Sequence, residues 1–130
     1  MSIVPGISLK KFIPAIIWFL VVLVLICTPG YDLPKVDSWF EMISGDKLIH
    51  VGVFGLLAFL FFLPVSRSSW SRKEKLYYLL RIAIATSIWG LTTEFIQRFF
   101  IPGRSFDLRD WLADSIGGLA AYGWCRWKML

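Results

Sequence analysis

The chain has 130 residues, of which 57% are hydrophobic and 17% aromatic. A water-soluble domain of that length needs far more polar surface, so the composition sets the chain among membrane proteins as a single domain, residues 1–130. The net charge of +5 would suggest a nucleic-acid partner in a soluble protein; here it reads as a topology signal on cytoplasmic loops, and no nucleic acid is expected.

Lys10 and Lys11 precede an apolar run ending at Cys27. It imitates a secretory signal peptide, but Leu25 and Ile26 stand where a signal protease needs small residues. The expectation is an uncleaved transmembrane helix over about 12–28. Residues 29–45 follow as an outer loop, where Trp39, Phe40, Met42 and Ile43 fit either a short interfacial helix or a plain anchored loop. "DKLIHVGVFGLLAFLFFLPV" predicts a second helix over about 46–65, "LYYLLRIAIATSIWGLTTEFIQ" a third over about 76–98, and "WLADSIGGLAAYGWCRW" a fourth over about 110–127. Each approaches the ~17–25 residues that cross a bilayer, the fourth being the least hydrophobic. The predicted fold is therefore all-α, a bundle of four transmembrane helices. Cys27 and Cys125 then fall at opposite ends, on the order of 30 Å apart, too far to bridge.

Four crossings put Lys10, Lys11, Arg67, Arg72, Lys73, Lys75, Arg81, Arg126 and Lys128 on one side with Glu74, a balance of +8. Five basic and eight acidic residues occupy the other side, a balance of −3. The positive-inside rule then predicts both termini in the cytoplasm.

The same topology stacks polar groups at the outer ends of the helices. Asp46 and His50 share a face of the second helix, as do Glu94 and Gln97 on the third. Asp107, Asp110 and Asp114 lead into the fourth, with Arg104 and Arg109 in the preceding connection. Ala83, Ser87, Gly90, Glu94 and Gln97 form one stripe, and Asp110, Asp114, Gly117 and Ala121 another; small stripes let membrane helices approach closely, so both are expected to face inward. Helix capping would explain Asp46 and Asp110. It would not explain Glu94 at a helix C-terminus or Asp114 a turn inside a span. An outer ion network with the arginines is one alternative. A divalent cation on His50, Glu94 and Asp114 is another, but there is one histidine, no HxxxH and no nearby cysteine, so neither metal nor cofactor is expected.

"DKLIH" at 46–50, "EFIQ" at 94–97, Arg104 and "DLRDWLADSIGG" at 107–118 resemble the VanZ-like membrane protein family, whose pattern runs D-K-x-x-H, E-x-x-Q, an arginine, then D-x-x-D-x-x-x-N-x-x-G. Asp46, Lys47, His50, Glu94, Gln97, Arg104, Asp107, Asp110 and Gly117 match; Asp114 stands where the family usually has asparagine. The resemblance implies an envelope protein of a bacterial cytoplasmic membrane, in a family associated with resistance to the fatty-chain glycopeptide teicoplanin, but it supplies no reaction.

Two functions are then expected alternatives. One is an outward-facing pocket that binds or acts on an anionic envelope lipid, a lipid-linked precursor or the glycopeptide. In it Arg104 and Lys47 bind an anion, Gln97, Asp107, Asp110 and Asp114 position partner groups, and Asp46 orients His50. His50 and Glu94 would be the acid–base pair if it is an enzyme. The other is a non-catalytic accessory protein whose cluster is a structural network or docking site. Oligomeric state is not fixed by the sequence.

Overall fold

The computed structural model describes residues 6–28, 45–103 and 106–130, the side chains of residues 45 and 46 excepted. Among them it is all-helical: a 3₁₀ turn, Leu9–Phe12, leads into α1, Ile13–Cys27, followed by α2, Gly45–Ser66, α3, Arg72–Phe100, and α4, Leu108–Lys128. Local chemistry sets several of these boundaries. Pro14 sits in the first turn of α1, where its missing N–H costs nothing. Ser71 caps α3 by accepting from the Glu74 amide at 3.2 Å, and Asp107 caps α4 by accepting from the Arg109 amide at 2.9 Å. Gly103, at φ 74°, takes the left-handed conformation that the α3–α4 turn requires.

The third helix is longer than its apolar run predicts. Its first turn, "RKEK", is charged, yet Ser71 and Glu74 give it a cap signal that hydropathy ignores. The predicted interfacial segment around Trp39 lies outside the described residues.

Three helices, Leu9–Cys27, Lys47–Ser66 and Arg72–Phe100, are long and apolar enough to cross a membrane. The fourth is shorter than α3 and charged at both ends, but its outward row of Leu112, Ile116 and Leu119 is 46–62% exposed, an apolar face at helical spacing. Exposed Ile17, Leu20, Val24, Ile84 and Ile88 extend the apolar exterior over α1 and α3.

Inside, α2 and α4 meet backbone to backbone. A Cβ on Gly117 would overlap the Val51 carbonyl and lie 2.8 Å from the Gly55 amide nitrogen; one on Gly55 would sit 3.2 Å from the Gly117 carbonyl. Absent side chains thus fix the α2–α4 register, the small-residue packing typical of membrane helices. Phe12, Ala58, Phe62, Leu79, Ala83 and Cys125 fill one end of the interior, and Val22, Ile26, Phe54 and Leu57 a second core. The α3 stripe faces inward at Ala83, Gly90, Glu94 and Gln97, while half-buried Ser87 hydrogen-bonds Ser115 across to α4 at 2.8 Å. Both cysteines are free, Cys27 exposed and Cys125 buried.

Candidate functional site

Lys47 and His50 lie in the first turns of α2, Glu94 and Gln97 near the end of α3, and Asp107, Asp110 and Asp114 at the start of α4. Because α2 and α4 start at the end of the bundle where α3 finishes, these groups meet. Lys47 Nζ donates to Asp107 Oδ2 at 2.8 Å and to Asp110 Oδ1. His50 Nδ1 lies 2.7 Å from Asp114 Oδ1, and its Nε2 is 3.5 Å from Asp110 Oδ2. The Asp107 amide donates to Glu94 Oε2 at 3.1 Å, which ties the α4 cap to the end of α3. Gln97 Nε2 reaches the Ile26 carbonyl of α1 at 3.5 Å.

Burial grades the cluster from its rim inward. Asp107 is the most open, Lys47 and His50 are about equally half-buried, Asp110 is less open, and Glu94 and Asp114 are fully buried. Among the described residues, Glu94 Oε1 and Asp114 Oδ2 find no hydrogen-bond partner. Gly90 makes room for the aspartate: a Cβ there would lie 3.0 Å from Asp114 Oδ2. Trp111 holds the wall beside it, its indole N–H donating to the Ser87 carbonyl at 2.9 Å. At the rim, the Lys47 ammonium holds the Asp107 carboxyl below its ordinary range.

His50 is held from another helix: its partner among the described residues is Asp114, 64 positions away, while the side chain of Asp46, expected to orient it, and Arg104 lie outside them. Lys47, expected to meet an anion, is engaged by two carboxylates of the protein itself. The anion-binding role therefore cannot rest on Lys47 alone. Trp111 and Gly90 are structural parts of the site that no motif singled out; Gly90's place on the α3 stripe was the available signal.

Chemically the described cluster is carboxylate-rich, with Glu94, Asp107, Asp110 and Asp114 facing one lysine and one histidine. With Asp114 ionised its carboxylate only accepts, so that Nδ1 of His50 then carries the hydrogen toward Asp114 while Nε2 faces Asp110.

Apolar helices enclosing charged groups from three elements define the class: a small helical membrane protein with a polar interior site. A family model for VanZ/LLP1 matches residues 3–129, nearly the whole chain. The chain belongs to the VanZ/LLP1 family. No curated protein and no solved structure matches it.

Proposed function

We propose that this protein crosses the bacterial cytoplasmic membrane four times, with both termini inside, and uses the His50–Glu94–Asp114 cluster to bind the polar head of a cell-envelope amphiphile on the extracytoplasmic side. A lipid, a lipid-linked precursor and a fatty-chain glycopeptide share the required form, a polar head on an apolar chain. The observation that carries the reading is Glu94, a fully buried carboxylate with one oxygen left without a partner among the described residues. A purely structural network would satisfy that oxygen, because an orphaned buried acceptor costs about 1–3 kcal/mol. Burial of charge in a membrane helix is costly and marks function by default.

The charge pattern supports the orientation. Lys10, Lys11, Arg67, Arg72, Lys73, Lys75, Arg126 and Lys128 lie at helix ends or turns remote from the cluster, and Arg72 reaches the Leu130 carbonyl at 2.8 Å. The outward row of α4 supports the fourth crossing. Arg104 is the cation assigned to an anionic head. His50 and Glu94 are the pair placed for proton transfer should binding lead to turnover.

Titration of teicoplanin, and separately of a polyprenyl phosphate, into purified protein in detergent tests the reading by tryptophan fluorescence, Trp111 lying beside the cluster. Saturable quenching by either, weakened in Glu94→Gln and His50→Gln, supports it. Equal quenching of wild type and both variants refutes it. Weakened but saturable quenching in the variants, together with a product that forms with wild type and not with either variant, would assign the two residues to chemistry as well as to binding.

A further inference from the structure

We propose that His50, Glu94 and Asp110 form a binding site for a divalent transition-metal cation of the zinc class, with Asp114 as the outer partner that fixes the histidine. One ligand atom from each of the three lies within 4.8 Å of the others. His50 Nε2 and Asp110 Oδ2 are 3.5 Å apart. That is long for a hydrogen bond but close to the ligand–ligand edge of about 3.3 Å set by tetrahedral bonds of about 2.0–2.1 Å.

Two further features point to a ligand beyond this clustering. Glu94 is fully buried, and while Oε2 accepts the Asp107 amide, Oε1 has no partner among the described residues. The site thus holds a desolvated carboxylate, one oxygen of which lies within 4.8 Å of a ligand atom of the imidazole and of a second carboxylate. The other feature is the hydrogen bond of His50 Nδ1 to Asp114 Oδ1 at 2.7 Å. An imidazole that donates one N–H to a carboxylate presents the other nitrogen as a lone pair, the arrangement that orients metal-bound histidines.

The donor set selects the cation. Calcium takes six to eight oxygens, and magnesium keeps several waters on carboxylate ligands. One imidazole with two carboxylates suits zinc or a neighbouring first-row ion. The carboxylates of Glu94 and Asp110 balance a 2+ charge, so the cation enters this weakly solvated site without net charge. Three protein ligands leave a fourth position open.

The inference deepens the head-group reading and rests on the same cluster. Without a cation the described site is rich in carboxylates and Lys47 is engaged; with one, the open position accepts a phosphate or carboxylate oxygen of the amphiphile.

The test uses full-length protein in detergent, purified without a histidine tag, stripped by chelator and dialysed. Zinc is titrated against a chromophoric competitor. The expected result is one zinc per chain, with affinity lowered about tenfold or more in His50→Gln and in Glu94→Gln. Uptake with the same affinity in both folded variants overturns the site, as does absence of uptake by the wild type. Should the variants not fold, Co²⁺ added to the wild type decides: an intensified visible d–d spectrum supports the site, and a spectrum unchanged from aqueous Co²⁺ overturns it. Repeating the polyprenyl phosphate titration with zinc and with chelator separates the two readings. Zinc uptake without phosphate binding keeps the metal site and ends the head-group reading. Phosphate binding indifferent to zinc and chelator, in protein that takes up no zinc, does the reverse.

Discussion

At the scale of single residues, the cluster is a set of shared oxygens whose contributions can be separated. Asp114 gives Oδ1 to His50 and leaves Oδ2 without a partner among the described residues. Asp114→Asn keeps the accepting oxygen and restores the residue that the resemblance places there, so its stability should stay within about 1 kcal/mol of wild type. Asp114→Leu strips the imidazole of its partner and should cost about 1–3 kcal/mol. Thermal unfolding in detergent distinguishes them, and equal losses would deny Asp114 its role. At the rim, Lys47 holds Asp107 below the ordinary carboxylate range. The unfolded chain therefore binds the proton more readily than the folded one. The contribution of this pair is present above the ordinary carboxylate pKa of about 3.9, and is lost as pH falls through Asp107's lower folded value. Unfolding temperature measured from about pH 6 down to about pH 3 should fall less steeply in Lys47→Met than in wild type. Parallel curves would mean the pair does not couple to folding.

Helices and turns convert these residues into a site through register. The closest contact, Gly117 on Val51 and Gly55, is made by backbone, which cannot move aside as a side chain can. Gly117→Ala should therefore destabilise the bundle by at least about 1–3 kcal/mol and shift Asp110 and Asp114 relative to His50. Gly52, on the same helix as Gly55, has open space around a built Cβ. Gly52→Ala should be neutral or stabilise by about 0.4–1 kcal/mol, as expected for an alanine in a helix. A similar loss in both variants, read by unfolding in a denaturing detergent, would rule out the glycine contact as the determinant of register. The same contact explains what the sequence could and could not disclose. Helix existence, the inward stripe of Gly90, Glu94 and Gln97, and the gathering of acids at one end follow from periodicity and hydropathy. The start of α3 at Arg72 was hidden because its first turn is charged, although Ser71 and Glu74 signal the cap. The pairing of His50 with Asp114 was not legible, because it depends on how far α4 slides along α2, a tertiary quantity that spacing along one helix does not contain.

For the whole molecule, two asymmetries coincide: the carboxylate-rich cluster gathers at one end, and most of the cationic residues, among them Lys10, Lys11, Arg67, Arg72, Lys73, Lys75, Arg126 and Lys128, lie toward the other. Net charge alone would not require this separation, since scattered basic residues would give the same +5. A membrane does, because lysines and arginines of short loops stay on the cytoplasmic side. The arrangement therefore predicts sidedness for two exposed turn positions, Ser69 between α2 and α3 and Pro102 between α3 and α4. In a background with Cys27 and Cys125 replaced by serine, Pro102→Cys should react with a membrane-impermeant maleimide in intact spheroplasts. Ser69→Cys should react only after permeabilisation. The reverse pattern would turn the cluster toward the cytoplasm and remove envelope amphiphiles of the outer leaflet as its ligands. Labelling of both positions without permeabilisation would instead mean that α3 does not cross, leaving Glu94 on an element that lies along the surface. Only the first outcome puts the buried Glu94 carboxylate, the His50 imidazole and the exposed apolar row of α4 in one bilayer, with the site opening where an envelope head group can reach it.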